Sequence, residues 1–347
     1  MKMKNYKEKN KAYKSAAGFL VNEPEVKYYA KQKRCLYCYE PLNAGEEHYH
    51  QSCSKRFFGQ GYVPKLDYTK EKLEELARQF VATHMAVTGV QAKVSLSWYR
   101  KQERNAVKKL TIVGLYGDYI LKPPSDYYQS LPELEDCTMK MAEVCGLKTV
   151  PHTLFTLQDG TLVYLTKRVD RTRTGMLHME DMCQLTERLT EDKYKGSHEQ
   201  VAKTLLKYSD APLLDVGNFY EYVIFCFLTG NADMHLKNFS LLETKQRGAY
   251  VLSPAYDMLS TALVNKADKE ELALTLNGKK SKLKYADFLA AFELSGLSKK
   301  FLDKTLENFF YCRLEMLEVL NKSFLPEDMK EEYALLLEER YRRLGLV

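Results

Sequence analysis

The stretch Gly230-Asn-Ala-Asp-Met-His-Leu-Lys-Asn-Phe-Ser240, followed by Ser253-Pro-Ala-Tyr-Asp257, carries the pattern that decides the fold. It places an aspartate, an asparagine and a second aspartate in order, as Asp233, Asn238 and Asp257. That order suits phosphoryl transfer, because one carboxylate can accept a hydroxyl proton while an amide oxygen and another carboxylate hold Mg²⁺ against phosphates. A surface loop with ordinary solvated acids is the alternative interpretation of the same spacing.

The residues around this stretch predict that Asp233 lies in a loop. Apolar side chains with helical spacing precede it and stop at Gly230, which is typical of the end of a buried helix. These are Phe219, Tyr222, Val223, Cys226 and Phe227. The β-rich triplets 240–242 and 250–252 predict two short strands, which would bring the asparagine and the second aspartate close together.

The composition is that of an ordinary globular protein with room for two lobes. The chain has 347 residues, 45% of them apolar, and a net charge of +6 that neither demands nor excludes a nucleic-acid partner. No apolar run approaches the roughly 18 residues of a membrane span, and the basic N-terminus lacks the apolar core of a signal peptide. Eight cysteines suit a reducing compartment better than a disulfide framework. We therefore expect a cytoplasmic protein without a membrane partner.

Two short cysteine and histidine motifs near the N-terminus predict a zinc site. Cys35-Leu-Tyr-Cys38 and His50-Gln-Ser-Cys53 each supply two ligands from one tight turn, which matches tetrahedral zinc ligation. Four protein ligands leave no open position, so a zinc ion here would be structural. His48 is an equally near imidazole, and reduced, buried cysteines are the plain alternative. The lysine-rich arm before the motifs is either a solvated tail or a segment that docks on a partner.

The next part of the chain is rich in β-forming residues. Strands are predicted at 94–99, at 109–114 and from 119 to Lys122, ahead of two prolines. The loop 88–93 before them could wrap phosphate oxygens with its backbone N–H groups, although a plain turn has the same composition. Lys122 ends an apolar strand, as a phosphate-pairing lysine does, and as many exposed lysines also do. Glu133 or Glu135 on the following helix could pair with it.

A hairpin around Asp159-Gly160 runs into residues 166–171, where a two-lobed kinase has the hinge that binds adenine. From about residue 175 onward the pattern is helical. Helices are predicted at 179–190, 199–208, 216–229, 285–295, 298–320 and 326–344. We therefore predict an α+β, two-lobed kinase-like fold with a cleft between the lobes. Its parts would be a basic arm and zinc knuckle at 1–75, a β-rich lobe at 76–166 and an all-helical lobe at 167–347.

Six segments in this order resemble the HipA family, the serine/threonine kinases of bacterial toxin–antitoxin systems. They are Thr88-Gly-Val-Gln-Ala-Lys93, Lys122, Arg168-Val-Asp-Arg171, Glu180-Asp-Met-Cys-Gln184, Gly230–Ser240 and Ser253–Asp257. The resemblance covers roughly residues 75–330 and is most specific over 230–261. It implies a fold similar to that of phosphoinositide kinases, with ATP and Mg²⁺ as cofactors.

The resemblance also implies a role for each matching residue. Asp233 would be the proton acceptor, and Asn238 and Asp257 the Mg²⁺ ligands. The nucleotide would be held by Thr88, Gly89, Val90, Gln91, Ala92, Lys93, Lys122, Lys167, Arg168, Val169, His235, Lys237, Asn238, Tyr256 and Asp257. Family members phosphorylate aminoacyl-tRNA synthetases to stop growth and are restrained by a helix-turn-helix antitoxin, so DNA would be reached only through that partner.

The chain departs from the family in two places. Members carry an autophosphorylated serine where this sequence has Ala86, so autophosphorylation is either absent or moves to Thr88. Full-length members begin with a β-rich subdomain, whereas about 75 residues with the zinc motifs stand here instead. The chain therefore resembles short members whose missing subdomain is encoded as a separate protein.

Three functional hypotheses follow from these features. The first is an ATP- and Mg²⁺-dependent protein serine/threonine kinase that arrests growth. The second is an inactive kinase-like scaffold that acts with a DNA-binding antitoxin. The third, based on the cysteine motifs and the lysine arm, is a zinc-dependent nucleic-acid binder whose affinity would depend strongly on salt.

Overall fold

A five-stranded antiparallel sheet lies next to the cysteine and histidine motifs. The structure, a computed structural model, describes residues 33–82, 93–99, 109–113, 117–172, 175–246 and 248–346, so the predicted lysine-rich arm lies outside it. The strands are β1 Val94–Tyr99, β2 Lys109–Val113, β3 Tyr119–Lys122, β4 His152–Thr156 and β5 Leu162–Lys167. Their order is β2-β1-β3-β5-β4, which confirms the predicted strands and hairpin. Because β3 is the central strand, Lys122 at its end is buried.

The helices follow the apolar periodicity of the sequence. They are α1 Gln51–Phe58, α2 Lys70–Ala82, α3 Leu131–Val144, α4 Met182–Leu185, α5 His198–Tyr208, α6 Pro212–Thr229, α7 Thr261–Val264, α8 Tyr285–Leu294, α9 Lys299–Lys322 and α10 Glu327–Arg343. The centre of the C-terminal half is α6, which is buried along most of its length and packs against α5 and α10. It begins with Pro212, a residue suited to the first helical turn, and ends at Gly230.

The C-terminal half is not all-helical, and this part of the prediction is wrong. It contains β6 Arg171–Thr172, β7 Gly175–Met176, β8 Met179–Asp181, β9 Ser240–Glu243 and β10 Tyr250–Leu252. The last three form a small sheet in the order β10-β9-β8. The predicted helix at 179–190 is replaced by β8 and the four-residue α4. Asp181 caps α4 by accepting from the Gln184 N–H, and Glu187 at φ 56 then breaks the helical path.

Two hydrophobic cores hold the structure together, and α3 connects them. The smaller core contains the five-stranded sheet together with Cys35, Leu36, Phe57 and Phe58 from the predicted zinc segment. The larger core contains α3, α6 and the helices around it. Residues 33–58 thus share their core with the sheet, while the proposed domain boundaries stay a prediction. In the part of the chain that the structure describes, no helix is long and apolar enough to span a membrane.

One pair of cysteines is joined in a way that the composition did not predict. Cys145, at the end of α3, forms a disulfide with Cys312 on α9. The remaining cysteines are free. The bond ties the end of α3 to the longest helix of the C-terminal half.

Candidate active site and metal centre

An ion cluster joins the central strand to the loop after β10. Lys122 Nζ lies 2.6 Å from Oε1 of Glu135 on α3 and also contacts Oδ1 of Asp257. Lys93 Nζ lies 2.9 Å from the other oxygen of Asp257, Oδ2. Of the two acids that the sequence offered as partners of Lys122, Glu133 and Glu135, the structure brings Glu135 to it.

Burial and the paired charges set the protonation of this cluster. Burial opposes ionisation of Asp257, but the ammonium groups of Lys122 and Lys93 outweigh it and hold the pKa of that carboxyl well below its usual range. Burial raises the pKa of Glu135 to about 7, against the opposing effect of Lys122. Asp257 also has φ 60, a left-handed conformation that is costly for residues other than glycine and is found often at functional sites.

Gly230 fixes the point at which the chain leaves α6. Its φ is 67, and its N–H donates back to helix carbonyls. A Cβ at this position would meet Leu336 Cδ2 at 2.7 Å and Ala262 Cβ at 2.9 Å. Both the conformation and the available space therefore require glycine at the start of the loop that carries Asp233.

The loop holds Asp233 and Asn238 in a fixed relation. The side-chain Nδ2 of Asn238 donates to the main-chain carbonyl of Asp233 at 3.0 Å, and the His235 N–H donates to the same oxygen at 2.8 Å. The Asp233 N–H in turn donates to Oδ1 of Asn231 at 3.1 Å. Because its amide nitrogen donates to the Asp233 carbonyl, Asn238 can offer its side-chain oxygen to a metal ion.

Tyr194 contacts Asp233 in a way that the sequence did not predict. Its hydroxyl donates to Asp233 Oδ1, and its side chain is 40% exposed. Its ring meets the His235 ring edge-on, with centroids 5.0 Å apart. No motif in the surrounding segment signals this contact, because the two residues meet only through folding. The contact of Asn231 with Asp233 is likewise not predicted by the sequence, although Asn231 lies within the same motif.

The predicted hinge runs along the exit of β5. The N–H of Lys167 donates to the Pro151 carbonyl and that of Arg168 to the Asp118 carbonyl, each at 2.9 Å. Among the described residues, the Val169 N–H makes no backbone hydrogen bond. Of the three residues in the predicted hinge, Val169 is therefore the one whose N–H has no backbone partner among the described residues.

The other predicted nucleotide residues are held by contacts within the small sheet. Lys237 Nζ lies 2.6 Å from Asp181 Oδ2. The Tyr256 hydroxyl donates to the Lys237 carbonyl at 3.0 Å and lies 2.6 Å from Ser240 Oγ. His235 is buried, its Nδ1 lacks a partner among the described residues, and burial lowers its pKa. These contacts tie Lys237 to β8 and Tyr256 to β9.

The predicted phosphate loop is only partly visible. Thr88, Gly89, Val90, Gln91 and Ala92 lie outside the described residues, as does Ala86. Only Lys93 is described, in its ion pair with Asp257. The phosphate-binding role of this loop and autophosphorylation at Thr88 therefore stay predictions.

A second site lies in the N-terminal segment, where Cys35, Cys38, His50 and Cys53 form what we call the zinc cluster. Their ligand atoms all lie within 4.8 Å of one another. His50 Nδ1 is 3.4 Å from Cys38 Sγ and 3.7 Å from Cys53 Sγ. Around a tetrahedral zinc ion, nitrogen and sulfur ligands would be about 3.5 Å apart, so the side chains fit the metal.

A hydrogen bond outside the cluster orients its histidine. His50 Nε2 lies 2.9 Å from the Pro41 carbonyl oxygen, so it must carry the ring proton. The Nδ1 lone pair is then directed at the two sulfur atoms, as in many zinc-bound histidines. His48, the other imidazole considered, is exposed and outside the group of close ligand atoms.

Comparisons with known proteins place most of the chain in one family. Residues 85–311 match the family model of the HipA-like C-terminal domain. A Sinorhizobium fredii protein named "putative kinase Y4dM" is 33% identical over 195 residues, which cover 52% of this chain and 46% of that protein. A Haemophilus influenzae "putative kinase" is 24% identical over 296 residues, covering 77% and 83% of the two chains. The chain thus spans about half the length of the Sinorhizobium relative.

Two solved structures share the fold. One is a complex of HipA, HipB and operator DNA from the Shewanella oneidensis toxin–antitoxin system, with a TM-score of 0.63 and 22% identity over 79% of this chain and 71% of that one. The other is the Helicobacter pylori proinflammatory kinase CtkA, with a TM-score of 0.51 and 18% identity over 72% of this chain and 93% of that one. The predicted kinase-like α+β fold is confirmed by both.

Proposed function

Because this chain belongs to the HipA-like C-terminal domain family, we propose that it is an ATP- and Mg²⁺-dependent kinase that phosphorylates serine or threonine hydroxyls of a protein. The observation that carries the proposal is the contact of the Lys122 ammonium with both Glu135 and Asp257. Phosphoryl transfer by protein kinases requires a lysine fixed by a glutamate, with a metal-binding aspartate also in place. A scaffold without chemistry has no physical need for that arrangement.

The residues present fit a magnesium ion and the phosphates of ATP. Asn238 offers an amide oxygen and Asp257 a carboxylate, the oxygen ligands that Mg²⁺ prefers. A Mg²⁺ ion held by these two side chains would supply positive charge against the phosphates. In this structure one oxygen of Asp257 contacts the ammonium of Lys93 and the other contacts that of Lys122. The two ammonium groups supply the positive charge beside this carboxylate. Each lysine would turn from the carboxylate toward a phosphate when the nucleotide binds.

Asp233 would act on the acceptor rather than on the nucleotide. Its backbone is held by hydrogen bonds with Asn231, His235 and Asn238. Its carboxylate accepts a hydrogen bond from the Tyr194 hydroxyl. It would orient the protein hydroxyl and accept its proton as the phosphoryl group is transferred. Positioning and charge neutralisation would supply most of the catalysis, since little covalent chemistry is left to the protein.

Transfer of ³²P from labelled ATP to proteins tests this proposal. Asp233→Ala should reduce transfer to background but leave the thermal shift produced by ATP and Mg²⁺ in place, since the carboxylate does not hold the nucleotide. Asp303→Ala, at an exposed ion pair with Lys299 on α9, is the matched control and should transfer at the wild-type rate. Undiminished transfer by the Asp233 variant would remove the proposed role of this residue.

The inactive-scaffold alternative predicts a different result in the same experiment. A scaffold without a nucleotide site should show no thermal shift with ATP and Mg²⁺ and no transfer from the wild-type chain. Absence of both the shift and the transfer would support the scaffold and contradict the kinase.

We further propose that the substrate is a protein whose phosphorylation arrests growth, an aminoacyl-tRNA synthetase being the first to examine, and that a helix-turn-helix antitoxin restrains the kinase. The support is family membership and the Shewanella complex, which contains HipB and operator DNA. Phosphoproteomics after induced expression of the wild type and of Asp233→Ala should identify sites that depend on the carboxylate. If the two phosphoproteomes are the same, the substrate proposal is wrong.

A further inference from the structure

We propose that zinc bound at the zinc cluster positions helix α3, so that metal occupancy controls how Glu135 meets Lys122. This inference rests on the proposed function only for the role of the Lys122–Glu135 pair in binding the nucleotide. The position of α3 and the metal content are properties of the chain whether or not it is a kinase.

The first connection runs from the turn of the zinc cluster to α3. Tyr39 directly follows the ligand Cys38, and its hydroxyl donates to Asp136 Oδ2 at 2.6 Å. Both side chains are buried, Tyr39 at 2% and Asp136 at 0% exposure. Asp136 is the neighbour of Glu135 on α3, so this bond acts within one residue of the ion cluster.

A second connection is a cation–π contact with α3, one helical turn after Asp136. The Lys140 ammonium lies 5.0 Å from the ring centroid of Tyr37 and 5.3 Å from that of Tyr39. A cation over two aromatic faces is attracted to both, and the attraction grows when water is excluded. Tyr37 and Tyr39 flank the ligand Cys38, so the same turn that would hold zinc contacts two successive turns of α3.

The zinc cluster is also anchored to the sheet. The Tyr49 hydroxyl donates to the Leu154 carbonyl of β4, and Thr153 Oγ1 donates to the Leu36 carbonyl at 3.2 Å. On the other side of Asp136, His152 Nδ1 of β4 lies 2.6 Å from its Oδ1. Asp136 is therefore held between the zinc segment and β4, and α3 takes its position relative to the sheet from both.

The segment has little regular secondary structure of its own. Residues 33–58 contain one described helix, α1, and a single isolated bridge between Arg34 and Pro41. A segment this short builds no core of its own, so its shape depends on packing against the sheet and on any ion that its ligands bind. Tyr39 moreover has φ 65, a conformation that a non-glycine residue keeps only when its surroundings hold it. Metal binding would supply that restraint, because its free energy becomes ordering free energy of the segment.

The chain allows a test with matched variants of two histidines and one tyrosine. Zinc content is measured by metal analysis and by release to a colorimetric chelator after thiol modification. We expect one zinc per wild-type chain, none in His50→Gln, and one in His48→Gln, whose imidazole is exposed. Wild-type protein purified without chelator that contains no zinc, or a His50→Gln variant that retains it, would overturn the proposal.

Hydrogen exchange tests the positioning itself. In His50→Gln, amides of Leu131–Val144 should exchange at least about tenfold faster, while those of the buried helix Pro212–Thr229 should keep their protection. Equal loss of protection in α3 and α6 would mean that the metal stabilises the whole fold and does not position α3 in particular. Unchanged exchange in α3 would mean that the metal has no effect on that helix. Either result contradicts the proposal.

Tyr39→Phe isolates the link in case the metal-free variants fail to fold. It removes the hydroxyl bond to Asp136 but no metal ligand, so one zinc should remain while α3 exchanges faster. The affinity for ATP and Mg²⁺ should fall about threefold to tenfold in this variant. If α3 in Tyr39→Phe exchanges at the wild-type rate, the hydrogen bond from Tyr39 to Asp136 does not position the helix. If the wild type itself fails to bind nucleotide while α3 still responds to zinc, the kinase proposal fails and the zinc proposal stands.

Discussion

Lys122 Nζ lies 2.6 Å from Glu135 Oε1, with 5% and 2% of the two side chains exposed. The pair joins the central strand to α3 at the place where the phosphates of ATP are proposed to bind. Because the pair is buried, water cannot solvate either group if its partner is removed, and the remaining charge would be left uncompensated.

Removing the ammonium in Lys122→Met should reduce both nucleotide binding and stability. At pH 8 we expect ATP·Mg²⁺ to bind at least about tenfold more weakly and the free energy of unfolding to fall by about 3–5 kcal/mol, because Glu135 is left buried without a partner. A carboxyl whose folded pKa is raised favours folding at low pH and loses that contribution as pH rises. Since the pKa of Glu135 is already about 7, the loss at pH 6 should be smaller.

Chemical denaturation at pH 6 and pH 8 measures the change in the free energy of unfolding, and a titration with ATP·Mg²⁺ measures the change in affinity. The control is Lys109→Met on β2, whose ion pair with Asp67 is about half exposed and should matter by no more than about 0.5 kcal/mol. An equal destabilisation of Lys122→Met at pH 6 and pH 8 would contradict the proposed protonation of Glu135.

Tyr194→Phe should make the proposed acceptor site more accessible. The Tyr194 hydroxyl occupies Asp233 Oδ1, an oxygen that a protein hydroxyl would have to approach. Losing this partly exposed hydrogen bond should raise kcat/KM for the acceptor about fivefold, which corresponds to about 1 kcal/mol, without changing the KM for ATP. Steady-state kinetics with saturating ATP give the answer, and a fall in kcat would instead show that Tyr194 assists Asp233.

Gly230→Ala should be more damaging than the same change at another left-handed glycine. The left-handed conformation costs about 1–2 kcal/mol for alanine, and the clash with Leu336 and Ala262 adds about 1–3 kcal/mol. Gly278, at φ 73 with no atom within 4 Å of the place that a Cβ would take, should lose only the first part. Urea unfolding of the two variants separates these contributions, and equal losses would show that the contact with α10 yields freely.

His198 should make the protein sensitive to acid. It is buried between Phe219 and Phe239, neither ring nitrogen has a partner among the described residues, and burial lowers its pKa to about 3. A histidine that is neutral when folded but titrates near 6.5 when unfolded favours the unfolded chain as pH falls below 6.5. From pH 7.5 to pH 5 this group alone should cost about 2 kcal/mol of stability. In His198→Leu that part of the decline should disappear, as unfolding curves at each pH would show.

The sequence predicted the elements whose side chains repeat with a local period. The alternation in 94–99 and the hairpin at Asp159-Gly160 gave their strands, and the apolar spacing before Gly230 gave the buried helix α6. It failed at 179–190, where helical spacing competes with the pairing of Glu180 to Leu241 in the small sheet. Strand partners distant in the chain leave no periodic signal.

The sequence by itself determined the chemistry that this protein can use: two aspartates and an asparagine in order, a lysine at the end of an apolar strand, and three cysteines and a histidine spaced like zinc ligands. Only the tertiary structure decided which of these groups meet. It brought Glu135 to Lys122, Tyr194 to Asp233 and Tyr39 to Asp136. The reason is physical: residue type fixes what a side chain can bind, but the packing of distant elements around two cores fixes its neighbours, its burial and therefore its charge.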